Sequence, residues 1–165
     1  MSEFKSKVAI VTGGSRGIGK AIVEALAGQG CDIAFNYSKS HEAALELEKE
    51  IKAKGARCKA SCVDIKDFEA VKQWIARVKA DFGRVDILVN NAGIVIDKPL
   101  MMMSREDWDQ VLDTNLNGMF NAAKACIVTF MKQKSGDIVN ISSVSGVIGL
   151  PGQTNYSASK GGVNA

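Results

Sequence analysis

Residues 12–19, Thr-Gly-Gly-Ser-Arg-Gly-Ile-Gly, decide how the rest of the chain is read. They follow the apolar run Val8-Ala9-Ile10-Val11 and open a helical pattern beginning at Ile18. Glycines at 13, 17 and 19 let the backbone turn sharply out of a strand and approach a ligand closely. The helix that starts there aims unpaired N–H groups at the same place. Such a turn suits an anion, and a pyrophosphate fits because a helix N-terminus adds partial positive charge to the donors. A glycine-rich turn also occurs without a ligand, but here it stands after the first strand and at a helix start, the context the motif requires.

Outward from the turn, strands and helices alternate. Ile18, Ile22, Ala25 and Leu26 recur at helical spacing, and Gly28 and Gly30 end that helix. A second strand spans 32–36. Ser40 is placed to cap a helix running to Lys54, with Ala44, Leu47 and Ile51 as its apolar stripe and the pairs Glu48 to Lys52 and Glu50 to Lys54 facing water. A third strand, 57–63, leads to Asp64. A helix over 67–82 buries Val71, Trp74, Ile75, Val78 and Phe82, and 87–89 reads as a fully buried strand. This alternation predicts an α/β domain, a Rossmann-like doubly wound parallel sheet sandwiched by helices, with its ligand beyond the carboxyl ends of the strands.

The 165 residues fit one such domain, 46% hydrophobic and 24% charged with a formal net charge of +3, a balance that asks for neither nucleic acid nor membrane. Residues 1–7 contain no hydrophobic signal region, which makes a cytoplasmic location the expectation. Cys31, Cys58, Cys62 and Cys126 lack metal-ligand spacing and read as reduced, partly buried thiols. His41, the single histidine, reads as a surface residue ahead of a charged helix.

The second half carries the candidate chemistry. Ser104 and Asp107 form a capping-box pattern before a helix expected to run to about Lys134. Trp108, Val111, Leu112, Met119, Ala122, Cys126 and Phe130 make one apolar stripe with Asn115 in its middle. A buried amide without partners costs about 1 to 3 kcal/mol, so Asn115 either caps a neighbouring backbone group or holds a water. Leu116, Phe120, Ala123, Ile127 and Met131 form a second stripe, wider than one contact needs, which suggests a partner subunit. A fifth strand, 138–141, ends in Ser142 and Ser143 at the ligand edge. Tyr156 and Lys160 lie four apart on one helical face. A phenol, with a reference pKa near 10, is a poor proton donor at neutral pH unless a cation lies close, and Lys160 is placed to be that cation. Ser143 is placed to donate to a carbonyl oxygen that Tyr156 protonates. Together they would hold a ketone for hydride transfer from a nicotinamide.

Thr12-Gly13-x-x-x-Gly17-x-Gly19, Asn90-Asn91-Ala92-Gly93, Asn115, Ser143 and Tyr156-x-x-x-Lys160, in this order, resemble the short-chain dehydrogenase/reductase family. Residues 107–115, 140–143 and 152–156 are most similar to 3-oxoacyl-[acyl-carrier-protein] reductases, with acetoacetyl-CoA reductases nearly as close. The resemblance implies Tyr156 as general acid, Ser143 orienting the carbonyl, Lys160 holding the nicotinamide ribose, and Asn115 anchoring a water in a proton relay. For the cofactor it implies contacts from Gly13, Ser15, Arg16, Gly17, Ile18 and Gly19, from Asn36, Ser38 and Lys39, from Asp64 and Ile65, and from Asn91, Ala92 and Gly93. It also implies a homo-oligomer, dimer or tetramer, and an acyl thioester substrate on acyl carrier protein or CoA. The family continues into a sixth strand and a substrate lid that this sequence lacks, so the expectation is one domain, 1–165, incomplete at its C-terminus. An alcohol, sugar or steroid dehydrogenase on the same scaffold and a non-catalytic dinucleotide sensor are the other readings.

The choice of dinucleotide has a physical argument. A ribose-binding carboxylate is expected about 20 residues beyond the glycines, where this chain has Asn36-Tyr37-Ser38-Lys39. Asp32 stands at the wrong end of that strand, whereas Arg16 and Lys39 are placed to pair a 2'-phosphate, which favours NADPH.

Overall fold

The computed structural model describes residues 4–165; the first three residues of the N-terminal stretch read for a signal region lie outside them. Five parallel strands form one sheet in the order β3-β2-β1-β4-β5: β1 Val8–Val11, β2 Asp32–Tyr37, β3 Cys58–Cys62, β4 Ile87–Asn90 and β5 Asp137–Asn140. The helices are α1 Gly17–Gly28, α2 His41–Ala53, α3 Phe68–Phe82, α4 Arg105–Leu112, α5 Gly118–Gln133 and α6 Thr154–Asn164. Strand side chains alternate between faces, so Val8, Ile10 and Leu88 pack under α3 and α5, while Ala9, Val11, Ile33 and Phe35 pack under α1 and α2. This is the doubly wound sheet that the alternation predicts. The order reverses between β1 and β4, which opens a crevice at their carboxyl ends.

Several local expectations differ. Ile22 and Leu26 pack inward as their spacing indicates, together with Val23 and Ala27, but Ile18 is 64% exposed and Ala25 also faces outward. Ser40 occupies the N-cap position of α2 but makes no side-chain cap. Glu48 pairs with Lys52 and also accepts the Ala60 N–H, whereas Glu50 faces Lys20 of α1 at 3.8 Å rather than Lys54. The helix read as continuous from Ser104 to Lys134 has the capping box, with Ser104 and Asp107 each bonding the other's backbone, but a π turn over Asp113–Asn117 separates α4 from α5. Cys31, Cys58 and Cys126 are buried free thiols, pushed up to about 11, 12 and 12 by that burial, while Cys62 is exposed. His41 is exposed, with its Nδ1 at 2.6 Å from the Tyr37 hydroxyl. Among the described residues no helix is long and apolar enough to cross a membrane.

Candidate functional site

The glycine turn is held from behind. Thr12, buried after β1, donates its N–H to Val89 O at 2.9 Å, and its hydroxyl accepts the N–H groups of Asn91 and Ala92 at 2.9 and 3.0 Å. Asn91 returns the bond, its Nδ2 donating to Thr12 O and Gly13 O at 2.9 and 3.1 Å. Gly13 has φ +64°, and a Cβ on it would lie 3.0 Å from the Ala92 Cα. At Gly19 a Cβ would lie 2.2 Å from Gly13 O, so the first turn of α1 packs directly onto the turn backbone, an approach only glycine permits. Asn36 Oδ1 accepts Gly13 N–H at 3.0 Å and its Nδ2 donates to Val63 O at 2.8 Å. Asn36 and Asn91, both expected to touch a cofactor, therefore have their amides committed to building the cradle. No side chain caps α1 and no acid lies in its first turn, which leaves its orphan N–H groups for an anion.

A cleft of about 660 Å³ runs from this turn along the strand ends. Gly13, Ser15, Arg16, Gly17, Ile18 and Gly19 form its floor; Asn36, Ser38, Lys39, Asp64 and Ile65 border it beyond β2 and β3; Asn91, Ala92 and Gly93 border it beyond β4; Tyr156 and Lys160 line it from α6. Tyr37, Lys66, Ile94, Val95, Gln110, Thr114 and Ser142 also line it, residues that sequence reasoning left out. The strand-end positions among them were legible from the topology, whereas Gln110 of α4 and Thr114 of the π turn reach the cleft only in the folded chain. Beyond β2 the cleft meets no acid from that strand: Asp32 sits at the opposite end, accepting from Arg57 Nε at 2.8 Å.

The catalytic candidates gather at the other end. Lys160 is 3% exposed; its Nζ donates to Ile141 O at 2.7 Å and lies 5.8 Å from the Tyr156 ring centroid. Burial pulls the pKa of this ammonium below the ordinary lysine value. An ammonium has three donors, so the Ile141 bond leaves two for a ligand. Asn115, fully buried at the centre of the π turn, caps neighbouring backbone. Its Oδ1 accepts Ile94 N–H at 2.8 Å, and its Nδ2 donates to Ile94 O and Ser159 Oγ at 3.0 and 3.2 Å. A Cβ on Gly93 would lie 3.2 Å from Asn115 Oδ1, so the amide packs directly under the segment after β4. Ser143 ends the stretch after β5 with its Oγ accepting Ser145 N–H at 3.1 Å, and Ser142 rather than Ser143 contributes to the cleft wall. Two further side chains of α6, Asn155 and Ser159, are fully buried and bonded into the site; the sequence signal for them was only their place beside Tyr156 and Lys160.

Known proteins resemble the chain along most of its length. A 3-oxoacyl-[acyl-carrier-protein] reductase of Staphylococcus aureus is 48% identical over 158 residues, 96% of this chain and 64% of that protein. A namesake from Synechocystis is 47% identical over 99% of this chain and 66% of its own length. Nodulation protein G of Azospirillum brasilense is 45% identical over 97% and 65%. A crystal structure of NAD+-bound xylitol dehydrogenase superposes with a TM-score of 0.93 at 34% identity, over 98% of this chain and 62% of that one. The chain thus spans about two thirds of the length of these relatives. The short chain dehydrogenase family model matches residues 7–165, and the chain belongs to the short-chain dehydrogenases.

Proposed function

We propose that the full-length protein is an NADPH-dependent reductase of 3-oxoacyl thioesters. One observation carries this reading: a single cleft has an anion-binding glycine turn at one end and Tyr156 with a buried Lys160 at the other. The fit to a dinucleotide rests on the uncapped start of α1 and on the close packing at Gly19, which shapes a concave backbone surface. When bound there, the cofactor supplies hydride to the carbonyl carbon. The chain does the rest. Tyr156 delivers a proton to the carbonyl oxygen, which completes the hydroxyl group, and Lys160 stabilises the phenolate left behind until solvent restores its proton. Ser143 Oγ accepts Ser145 N–H, which leaves its O–H to hydrogen-bond the carbonyl. Asn115 holds the wall after β4 by bonding both polar groups of Ile94.

NADPH is supported by the absence of an acid at the end of β2 and by Arg16 and Lys39 in the cleft wall, where a charge-assisted contact to a 2'-phosphate contributes about 1.5 to 3 kcal/mol. The 3-oxoacyl thioester is supported by the reductases at 47 and 48% identity, and acyl carrier protein is the carrier their name states. A homo-oligomer is supported by the exposed stripe of Phe120, Ile127 and Met131 on α5.

The test is consumption of NADPH and NADH by the full-length protein with an acetoacetyl thioester beside simple ketones and sugars. Faster turnover of the thioester with NADPH is expected, and Arg16→Ala or Lys39→Ala should weaken NADPH while sparing NADH. Preference for a sugar or steroid with NADH would replace this reading by a dehydrogenase; cofactor binding without turnover of any substrate would make the protein a sensor.

A further inference from the structure

Tyr156 lies at the start of α6, where helices are weakest. Gln153 at the N-cap supplies no side-chain cap, and the amide of Ser157, bonded to Gln153 O at 2.7 Å, is the first of the helix to find its backbone partner. The Tyr156 N–H is therefore an orphan donor. Asn155 Oδ1 accepts it at 2.8 Å. The same amide donates from Nδ2 to Ile96 O, in the segment after β4, at 3.0 Å, and to Asp107 O of α4 at 3.1 Å. Asn155 is fully buried, and one side chain joins three pieces of backbone at the residue before the phenol.

The anchors are themselves braced. Lys98 Nζ reaches both oxygens of Asp107 at 2.9 and 2.7 Å, and Lys98 N–H donates to Gly152 O at 2.9 Å. Gln153 bridges Ser145 Oγ and Asp97 Oδ2 at 2.8 and 3.1 Å. What remains is the link from this frame to the tyrosine, and Asn155 supplies it. A carboxylate of the same shape would keep the acceptor but meet two carbonyls without a donor; a leucine would lose all three bonds.

We propose that Asn155 is a positioning residue for Tyr156, setting the height and rotation of the first turn of α6 against the wall after β4 and hence the place of the phenol in the cleft. This rests on the reductase reading. A displacement of about 1 Å at a reacting group costs roughly a hundredfold in rate, whereas cofactor binding is organised around the glycine turn and does not depend on this tether.

The experiment compares full-length wild type, Asn155→Asp and Asn155→Leu for kcat, KM, NADPH affinity by fluorescence, and hydrogen exchange of the Tyr156 amide. For Asn155→Leu, kcat should fall roughly a hundredfold with KM and NADPH affinity unchanged, and the Tyr156 amide should exchange faster. Asn155→Asp, nearly isosteric, keeps the bond to the Tyr156 N–H and, once burial protonates it, one donor for a carbonyl, so it should lose less kcat than leucine; it decides the matter if the leucine variant fails to fold. Unchanged kcat in a folded variant, or parallel loss of kcat and NADPH affinity, would overturn the proposal. Should the wild type reduce no thioester, the reductase reading fails by itself, and the amide exchange still decides the tether: no acceleration would refute it.

Discussion

On the β2 side of the sheet, β1 is buried along its whole length and β2 at every residue but Asp32, whereas β5 on the other side is exposed throughout. The same division runs through the surface. Among the described residues, Ile18 and Leu45 are the exposed large hydrophobic side chains of the first ninety, and the others, from Val95 to Leu150, lie in the remainder. The core of the first part is closed by α1, α2 and α3 together with Ala122, Cys126 and Phe130 of α5, and its glycine turn is bonded from behind by Thr12, Asn36 and Asn91. The second part presents apolar surface on α5 and after β5, the kind of surface that marks contact with something else. Cofactor binding should thus be a property of the first part, and turnover a property of the second that depends on how well its pieces are held.

Each part can be injured without touching the other. Tyr156→Phe should lower turnover by roughly 10² to 10⁴ while NADPH affinity stays, because only a proton donor is lost. Gly19→Ala should do the reverse: its methyl group would collide with Gly13 O, spread the cradle and weaken NADPH binding by about tenfold or more, at least 1.4 kcal/mol. Fluorescence titration beside steady-state rates separates the two, and loss of NADPH binding in the phenylalanine variant would show that the parts are not independent. Next in size is Phe120→Glu, at a residue 60% exposed on α5. If that face is a subunit contact, sedimentation should show dissociation, since a charge would be desolvated there; an unchanged mass would mean the stripe is ordinary surface.

The smallest effect concerns stability against pH. Burial lowers the Lys160 pKa from its ordinary value of 10.5. Between the folded and unfolded values the unfolded chain binds the proton more readily, so this group's destabilising contribution is full below the folded pKa and fades as pH rises towards 10.5. The melting temperature of Lys160→Met relative to wild type should therefore decline from pH 7 towards pH 10. A constant difference would show that Lys160 is better solvated than its 3% exposure implies.

The residues alone determined the strand and helix alternation, the glycine turn and the Tyr156/Lys160 spacing, because each is written in local periodicity or in glycine's conformational freedom. Val71, Trp74, Ile75 and Val78 are buried as their spacing indicates, and the parallel sheet is centred on β1, β2 and β4, strands too apolar to face water. Tertiary structure alone decided how the polar side chains are used. That Asn115 caps the backbone of Ile94, 21 residues away, and that Asn36 accepts from Gly13, 23 residues away, is decided by the fold. The pairing of Asn155 with Ile96 and Asp107 spans 59 and 48 residues and leaves no periodic trace. Apolar burial is a property of a face, so a repeating pattern reveals it. A hydrogen bond is a property of two particular atoms, and only the folded chain brings them within 3 Å or so of each other.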